Sequence, residues 1–459
     1  MQSRIKETDG WKLAESLAVA AISARALPHA TLRGRVVAAH GLAADILGFS
    51  PPLPVGARFT LLSGTGPVPA ELVAVRPGAA RAMLFGAPDG IALGTPAIAH
   101  LPAALSPAAL HPHDAWLGRV ITPLGEPADG RGPLPRGPAR PVRAPPPPAT
   151  RRARLGPPLD LGVAALNAFT PCREGQRLGL FAGSGIGKST LLGMLARFTA
   201  ADMAVLALVG ERGREVRDFV EDELGAEGLA RAVVIAATSD AAPLMRREAA
   251  YTALTVAEHF RDQGRSVLLL MDSVTRFCAA LREIALAAGE LPATRGYPPS
   301  VWAELPRLLE RAGPGPACPD GRAGQITGLF TVLVEGSDHE EPVADAVRGI
   351  LDGHVVLDRA IAEAGRYPAI DLLRSLSRTA GSIWSADEAV LVARARRVLA
   401  TAADMADLVR LGAYKPGADP AVDEAIRVAP RIEAAMAQGR DHPAGTAMTF
   451  AALASCFDA

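Results

Sequence analysis

Residues 181–190 read FAGSGIGKST. They close the apolar run RLGLF (177–181) and lead into LLGMLARF (191–198), a run with helical spacing. A strand that turns through glycines into a helix aims consecutive backbone N–H groups, and the positive end of a helix dipole, at one anion. With Gly187, Lys188 and Ser189 closing the turn, Lys188 is expected to meet the β- and γ-phosphates of a nucleotide and the Ser189 hydroxyl to ligate Mg²⁺. A glycine-rich turn with no ligand is the plainer alternative, and the lysine and serine together weigh against it. The motif G-x-x-x-x-G-K-[ST] asks for glycine at 182, where the chain has Ala182. Only a positive φ demands glycine, and a strand end is expected to have negative φ, so alanine is admissible. Glycines stand at 183, 185 and 187, where the loop is expected to turn. The nucleotide-binding candidates are thus Ala182, Gly183, Ser184, Gly185, Ile186, Gly187, Lys188, Ser189 and Thr190.

Two further runs point to the same site. SVLLLMD (266–272) is an apolar strand ending in Asp272, 84 residues after Lys188 (272 − 188). A carboxylate at the C-terminal end of a strand, expected beside the phosphate-loop strand, holds the Mg²⁺ shell, by way of water. Many buried strands end in a surface aspartate, so this signal draws its weight from the loop before it. ALVGERGREVRDF (207–219) delivers Glu211 to the same sheet edge, followed by Arg212. There Glu211 would polarise an attacking water and Arg212 would meet the γ-phosphate; a surface ion pair is the alternative.

Composition narrows the class. At 459 residues the chain predicts two or three domains. Its 48 Lys and Arg cancel 48 Asp and Glu, and aromatic residues make up 4%. Neither feature suits a protein that coats a polyanion or stacks single-stranded bases, so no nucleic-acid partner is expected. Cys172, Cys278, Cys318 and Cys456 match no zinc or disulfide spacing and read as free thiols in a reducing cytosol. Residues 1–30 hold an apolar run, Leu17 to Ile22, too short to span a membrane, and read as an amphipathic, partner-binding helix.

Short β-rich runs over 31–100, punctuated by Gly and Pro, predict a β-barrel domain. Residues 131–158 contain seven arginines, ten prolines and no acid, and predict an extended strap within an ATPase domain spanning 101–385. From Arg177 onward, near-continuous apolar runs alternate with helical stretches, the pattern of a parallel sheet buried on both faces. Residues 312–324, AGPGPACPDGRAG, read as a mobile loop, and 386–459 as a C-terminal helical domain. The expected fold class is α/β, a recombinase-type P-loop NTPase core between the barrel and the helical domain.

AGSGIGKST, GERGREVRDF, MDSVTRF, GYPPSVWAELPRLLERAG, YPAIDLLRSLSR and LGAYKPGADPAVDEAI together resemble the flagellum-specific ATPase of the type III protein export apparatus, a family similar to the catalytic subunits of rotary ATP synthases. The resemblance runs from residue 118 onward, while residues 1–100 match only in outline. Members of the export family commonly read Ala-Gly-Ser-Gly at this loop, which marks Ala182 as a family feature. By the resemblance, Glu211 is the catalytic glutamate, Tyr367 packs on adenine, and Arg378 is an arginine finger offered to the neighbouring subunit's nucleotide. It implies a cytoplasmic homohexamer hydrolysing Mg²⁺-bound ATP at the inner face of the membrane. Its partners would be an export regulator or stator protein at the N-terminus, the export gate, chaperones and flagellar substrates.

The chain departs from that family at Gly324-Gln325-Ile326-Thr327, where relatives carry Gly-Ser-Ile-Thr, and at ATAADMADLV (400–409), which lacks an aromatic near the adenine. The same machine in a virulence secretion system shares every motif. A hexameric RNA translocase shares the core but needs a basic, aromatic surface, and a non-catalytic rotary subunit would lack Glu211.

Overall fold

The computed structural model describes residues 30–458 apart from 102, 106–107, 184, 318–322 and 335–340. The expected N-terminal helix, Ser184 and Cys318 lie outside the described residues.

Six antiparallel strands, β1 (Thr31–His40), β2 (Ala43–Leu47), β3 (Arg58–Ser63), β4 (Gly66–Arg76), β5 (Ala79–Leu84) and β6 (Pro96–His100), close into a barrel in the order β1-β2-β5-β4-β3-β6. Alternation sends every second side chain inward, so Phe59 and Leu61 of β3 join Val36, Ile46, Leu72 and Leu84 in one core. Closure of β6 on β1 leaves no free edge.

The strap is extended, as its prolines require. Its ladder pairing is short: Arg140–Pro141 against Ala109–Leu110, Pro158 against Arg173, and a single bridge from Arg152 to Pro316. Side chains fasten it instead: Arg140 reaches Asp262 at 2.6 Å, Arg143 reaches Glu71 at 2.9 Å and Arg152 reaches Glu310 at 3.2 Å. Proline removes N–H donors, so charged side chains take over the role of a ladder.

The central sheet contains β7 (Arg119–Ile121), β8 (Arg177–Ala182), β9 (Met203–Glu211), β10 (Ala232–Thr238), β11 (Ser266–Asp272), β12 (Gln325–Leu333), β13 (Gly353–Val356) and β14 (Leu376–Ser377), in the spatial order β14-β13-β8-β12-β11-β9-β10-β7. All neighbours are parallel except β13 and β14. The inner strands feed two cores. Leu180, Leu268 and Leu270 face one; Phe181, Leu269 and Met271 face the other. That is why the runs are apolar at every position.

One face is covered by α2 (Pro243–Arg261) and α3 (Val274–Ala288), the other by α1 (Lys188–Phe198) and the C-terminal helices α4 (Ala386–Arg410), α5 (Pro420–Ala435) and α6 (Thr446–Ser455). A capping box at Ser385 and Glu388 starts α4, and Val392, Ala395, Val398 and Leu399 seat it on the core.

Two details differ from the sequence expectation. The Asp272 strand is not beside the phosphate-loop strand, because β12 is inserted between β8 and β11. Residues 312–317 are no loose loop: Gly313–Pro314 pair antiparallel with Gln325–Ile326, and Pro316 bridges Arg152.

A buried charge network locks the barrel to the sheet domain. Glu71 of β4 and Glu248 of α2 share Arg58, Arg143 and Arg247, with Arg247 Nη2 to Glu71 at 2.8 Å and to Glu248 at 2.6 Å. Burial pushes the Glu248 carboxyl up, but Arg247, Arg58 and Arg143 outweigh it and hold it well below the usual carboxylate range. Removing one partner of such a buried pair typically costs about 3–5 kcal/mol, so barrel and sheet are expected to move as one body.

Candidate nucleotide site

All the site's strands are parallel, so their C-terminal ends share one edge, and the site is built there. β8 ends in Ala182, which is buried, in register with Leu333, and accepts a hydrogen bond from the Val334 N–H at 3.1 Å. Its φ is not positive: among described non-glycine residues only Arg295 is left-handed. The turn itself rests on Gly185 (φ 77°) and Gly187 (φ 85°). Gly183, expected to be a third turning point, is not left-handed, and a Cβ there would meet nothing nearer than the Val334 carbonyl at 3.8 Å. Alanine at 182 is therefore unstrained. Ala182→Gly is expected to leave turnover within a few fold and to cost about 0.4–1 kcal/mol through unfolded-state entropy. Denaturant unfolding beside a phosphate-release assay checks this; a large gain in turnover would show that alanine strains the loop.

Gly187 is the N-cap of α1 and caps no N–H with a side chain, which leaves the helix terminus to a ligand. Behind it, Lys188 Nζ donates to Asp272 Oδ1 at 2.6 Å and to Glu211 Oε1 at 3.2 Å. Burial pulls the lysine pKa down, but the two carboxylates outweigh it and raise it above its ordinary value, so the ammonium stays charged. Burial pushes the Asp272 carboxyl up, against the pull of Lys188. Thr331 of β12, which sequence reasoning missed, donates its hydroxyl to Asp272 Oδ1 at 2.6 Å. Thr331 is one of two threonines, with Thr327, in a buried strand, and a buried hydroxyl needs a partner, which was the available signal. The inserted strand thus supplies the support for Asp272.

Glu211 reaches the lysine because β9 bulges. Its register with β10 shifts between Val209 and Glu211, and Gly210 there has φ 73°. A Cβ on Gly210 would press on Arg276 at 3.1 Å. The bulge turns the last residue of the strand toward Lys188.

Tyr367 stands half-exposed at the mouth: a Cβ on Gly187 would lie 3.4 Å from its ring. The two arginines are elsewhere. The Arg212 side chain is 82% exposed and sits 3.5 Å from Glu215. Arg378 follows β14 on the outer edge of the sheet, exposed, with its backbone N–H on the Asp352 carbonyl at 3.0 Å and Nη2 on the Arg348 carbonyl at 3.4 Å. Within one chain, then, the fold gathers Lys188, Glu211, Asp272 and Tyr367 around the α1 terminus and leaves Arg212 and Arg378 outside.

Known proteins share this sequence pattern and fold. Residues 162–377 match the nucleotide-binding domain of the ATP synthase alpha/beta family, and residues 384–455 match the C-terminal domain of the type III secretion ATPase EscN. The flagellum-specific ATP synthase of Caulobacter vibrioides is 54% identical over 90% of this chain and 92% of its own length. The type 3 secretion system ATPase of Xanthomonas euvesicatoria is 48% identical over 75% of this chain and 76% of its own. Among solved structures, the assembled ATPase EscN of enteropathogenic E. coli, in complex with its central stalk EscO, superposes with a TM-score of 0.82 at 37% identity, covering 92% of this chain and 99% of that one. With a phosphate loop, a barrel and a helical C-terminal region in one order, the chain belongs to the ATP synthase alpha/beta family, in the branch formed by the flagellar and type III secretion ATPases.

Proposed function

We propose that this protein hydrolyses ATP to ADP and phosphate as a ring of identical subunits and that turnover drives flagellar type III export, unfolding export substrates and delivering them to a membrane gate. The observation that carries the reading is the convergence of Lys188, Glu211 and Asp272 beside an uncapped helix N-terminus. Arrangement and relatives agree.

Mg²⁺ would be bound together with the nucleotide; among the described residues no group of three or more His, Cys, Asp or Glu is placed to hold a metal ion. Ser189, exposed at the start of α1, and Asp272, by way of water, offer the hard oxygen ligands that fit, and the ion would neutralise charge on the β- and γ-phosphates. The residues of the chain do the rest. The α1 terminus and the loop N–H groups bind the phosphates. Lys188 exchanges part of its hold on the carboxylates for the γ-phosphate, and Glu211 then accepts a hydrogen bond from the attacking water and orients it in line. Tyr367 offers its ring to the base. Arg212, exposed beside Glu211, would approach the γ-phosphate by a change of side-chain rotamer, and Arg378, exposed at the sheet's outer edge, would serve a neighbour's nucleotide.

EscN is seen assembled and in complex with a central stalk; to this chain we assign an assembly into a homohexameric ring, with residues 1–30 taking a regulator or stator protein. No described helix is long and apolar enough to cross a membrane. From its likeness to the flagellar and type III secretion ATPases we assign the protein to the cytoplasm, reaching the membrane's inner face through its gate, chaperone and substrate contacts. The Xanthomonas relative supports the second reading, the same role in a virulence secretion system.

ATPase rate per subunit measured against protein concentration, beside mass measurement, tests catalysis and assembly together. The rate should rise as rings form. A flat rate through dilution into monomers would remove the ring from the mechanism.

A further inference from the structure

Between β9 and β10 the chain does not form one regular helix. Residues 213–218 are α-helical, Phe219–Leu224 form a π turn, and Gly225–Ala230 resume the α-helix. A π turn bonds i to i+5, which stacks Phe219 and Leu224, both buried, on one face against the core that holds α1. Glu223, beside Leu224, lies against the phosphate-loop helix. The Thr190 hydroxyl donates to its Oε1 at 2.8 Å. Its Oε2 is buried without a hydrogen-bond partner. The approach is possible only because α1 has glycine at 193: a Cβ there would come within 2.9 Å of both Glu223 Cβ and the Glu223 carbonyl oxygen.

Glu223 is 12 residues after Glu211 (223 − 211), in the segment that leaves the site through Arg212. Thr190 is two residues after Lys188, in the first turn of α1. One hydrogen bond therefore ties the segment carrying Glu211 and Arg212 to the helix carrying Lys188 and Ser189. Packing alone would not require a carboxylate here. Burying one of its oxygens unpaired is unfavourable, and a π turn is an uncommon means of bringing it in. Such features concentrate where geometry is held for function.

We propose that Glu223 is a positioning residue for ATP hydrolysis: by accepting the Thr190 hydroxyl it sets the distance between the water-orienting strand end and the phosphate loop. This rests on the proposed ATPase reading, and it acts on the chemical step. Bound ATP is held chiefly by α1 and the loop, whose own backbone hydrogen bonds do not depend on Glu223. The placement of Glu211 opposite the γ-phosphate does.

The test uses the purified full-length chain, with ATPase kinetics, equilibrium binding of a fluorescent ATP analogue and cooperative unfolding measured on every variant. Glu223→Ala is expected to lower kcat about 10- to 100-fold, the scale of a small misplacement at a catalytic centre, with nucleotide affinity held within about 3-fold. Glu223→Gln keeps an acceptor oxygen at the same reach and should restore kcat to within about 3-fold of the wild type. Glu223→Asp, one methylene short, should be slow like the alanine variant, and it takes that variant's place if alanine fails to fold. Adding Thr190→Val to Glu223→Ala should slow the enzyme no further than the slower single variant. The inference is overturned if folded Glu223→Ala or Glu223→Asp turns over at the wild-type rate, if Glu223→Gln is as slow as alanine, or if the two single effects multiply. A wild-type chain that hydrolyses no ATP sinks the proposed function and this inference with it, whereas an active wild type with an equally active Glu223→Ala sinks the inference alone.

Discussion

Lys188→Ala is expected to lose nucleotide binding and turnover together, whereas Glu211→Gln is expected to bind ATP nearly as the wild type does and to lose turnover by about 10²-fold or more. The difference follows from when each side chain acts. In the proposed mechanism Lys188 touches phosphate in the ground state and in the transition state, so removing it weakens both. Glu211 serves the water, and glutamine keeps its shape and much of its hydrogen bonding while losing the charge that polarises the nucleophile.

The structure adds a control that the sequence would not have suggested. Lys188 is the cation held between Asp272 and Glu211, at 2.6 and 3.2 Å. Alanine at 188 leaves the buried Asp272 without its counter-charge, and stranding one member of a buried pair costs about 3–5 kcal/mol. Unfolding must therefore be followed beside binding, so that a lost site is told apart from a lost fold. Fluorescent-ATP titration decides the roles. If folded Glu211→Gln fails to bind as completely as Lys188→Ala, Glu211 is part of the binding site and some other group orients the water.

The second large effect belongs to Arg378. Its alanine variant should bind ATP normally and hydrolyse it about 10³- to 10⁵-fold more slowly, the range for arginine fingers in phosphoryl transfer. In a single chain this arginine is exposed beyond β14, with its Nη2 on the Arg348 carbonyl. The proposed target of an arginine placed there is the nucleotide of another subunit. Mixing Arg378→Ala with Lys188→Ala subunits should accordingly restore activity, because one supplies an intact phosphate loop and the other an intact finger. Mixed rings confirmed by mass with no returning activity would show that Arg378 does not act in trans.

How much of this was legible before folding depended on the range of the interaction. The phosphate loop is a local object. Its strand, its left-handed glycines and its helix start lie within a few residues, and φ preferences and apolar periodicity encode them directly. The barrel strands and the doubly buried strands are equally local, since alternation and apolar runs are properties of single segments. For the same reason Ala182 was readable as harmless: strand ends take negative φ, and Ala182 does.

The limits were long-range. No periodicity announces that β12 slots between β8 and β11, because strand order is settled by where the crossover helices pack. That insertion brings Thr331 to Asp272, 59 residues away in sequence (331 − 272), and gives the carboxylate its second partner. Gly210 could be seen in its strand, but only the register with β10 shows that it is the bulge aiming Glu211 at Lys188. Adjacency to Glu211 could not show that the Arg212 side chain faces solvent in the single chain, because one residue's step along a strand end reverses the direction of the side chain.

Lys188, Ser189 and Asp272 were thus legible in the sequence itself as candidates, each marked by the turn or strand end that carries it. Tertiary structure alone decided that Lys188 bridges two carboxylates, that Tyr367 meets Gly187 across 180 residues (367 − 187), and that Glu223 holds Thr190. The physical reason is common to all three. Backbone conformation is governed by neighbours in the chain, whereas the partner of a buried polar group is whichever side chain the packed core brings within about 3 Å of it.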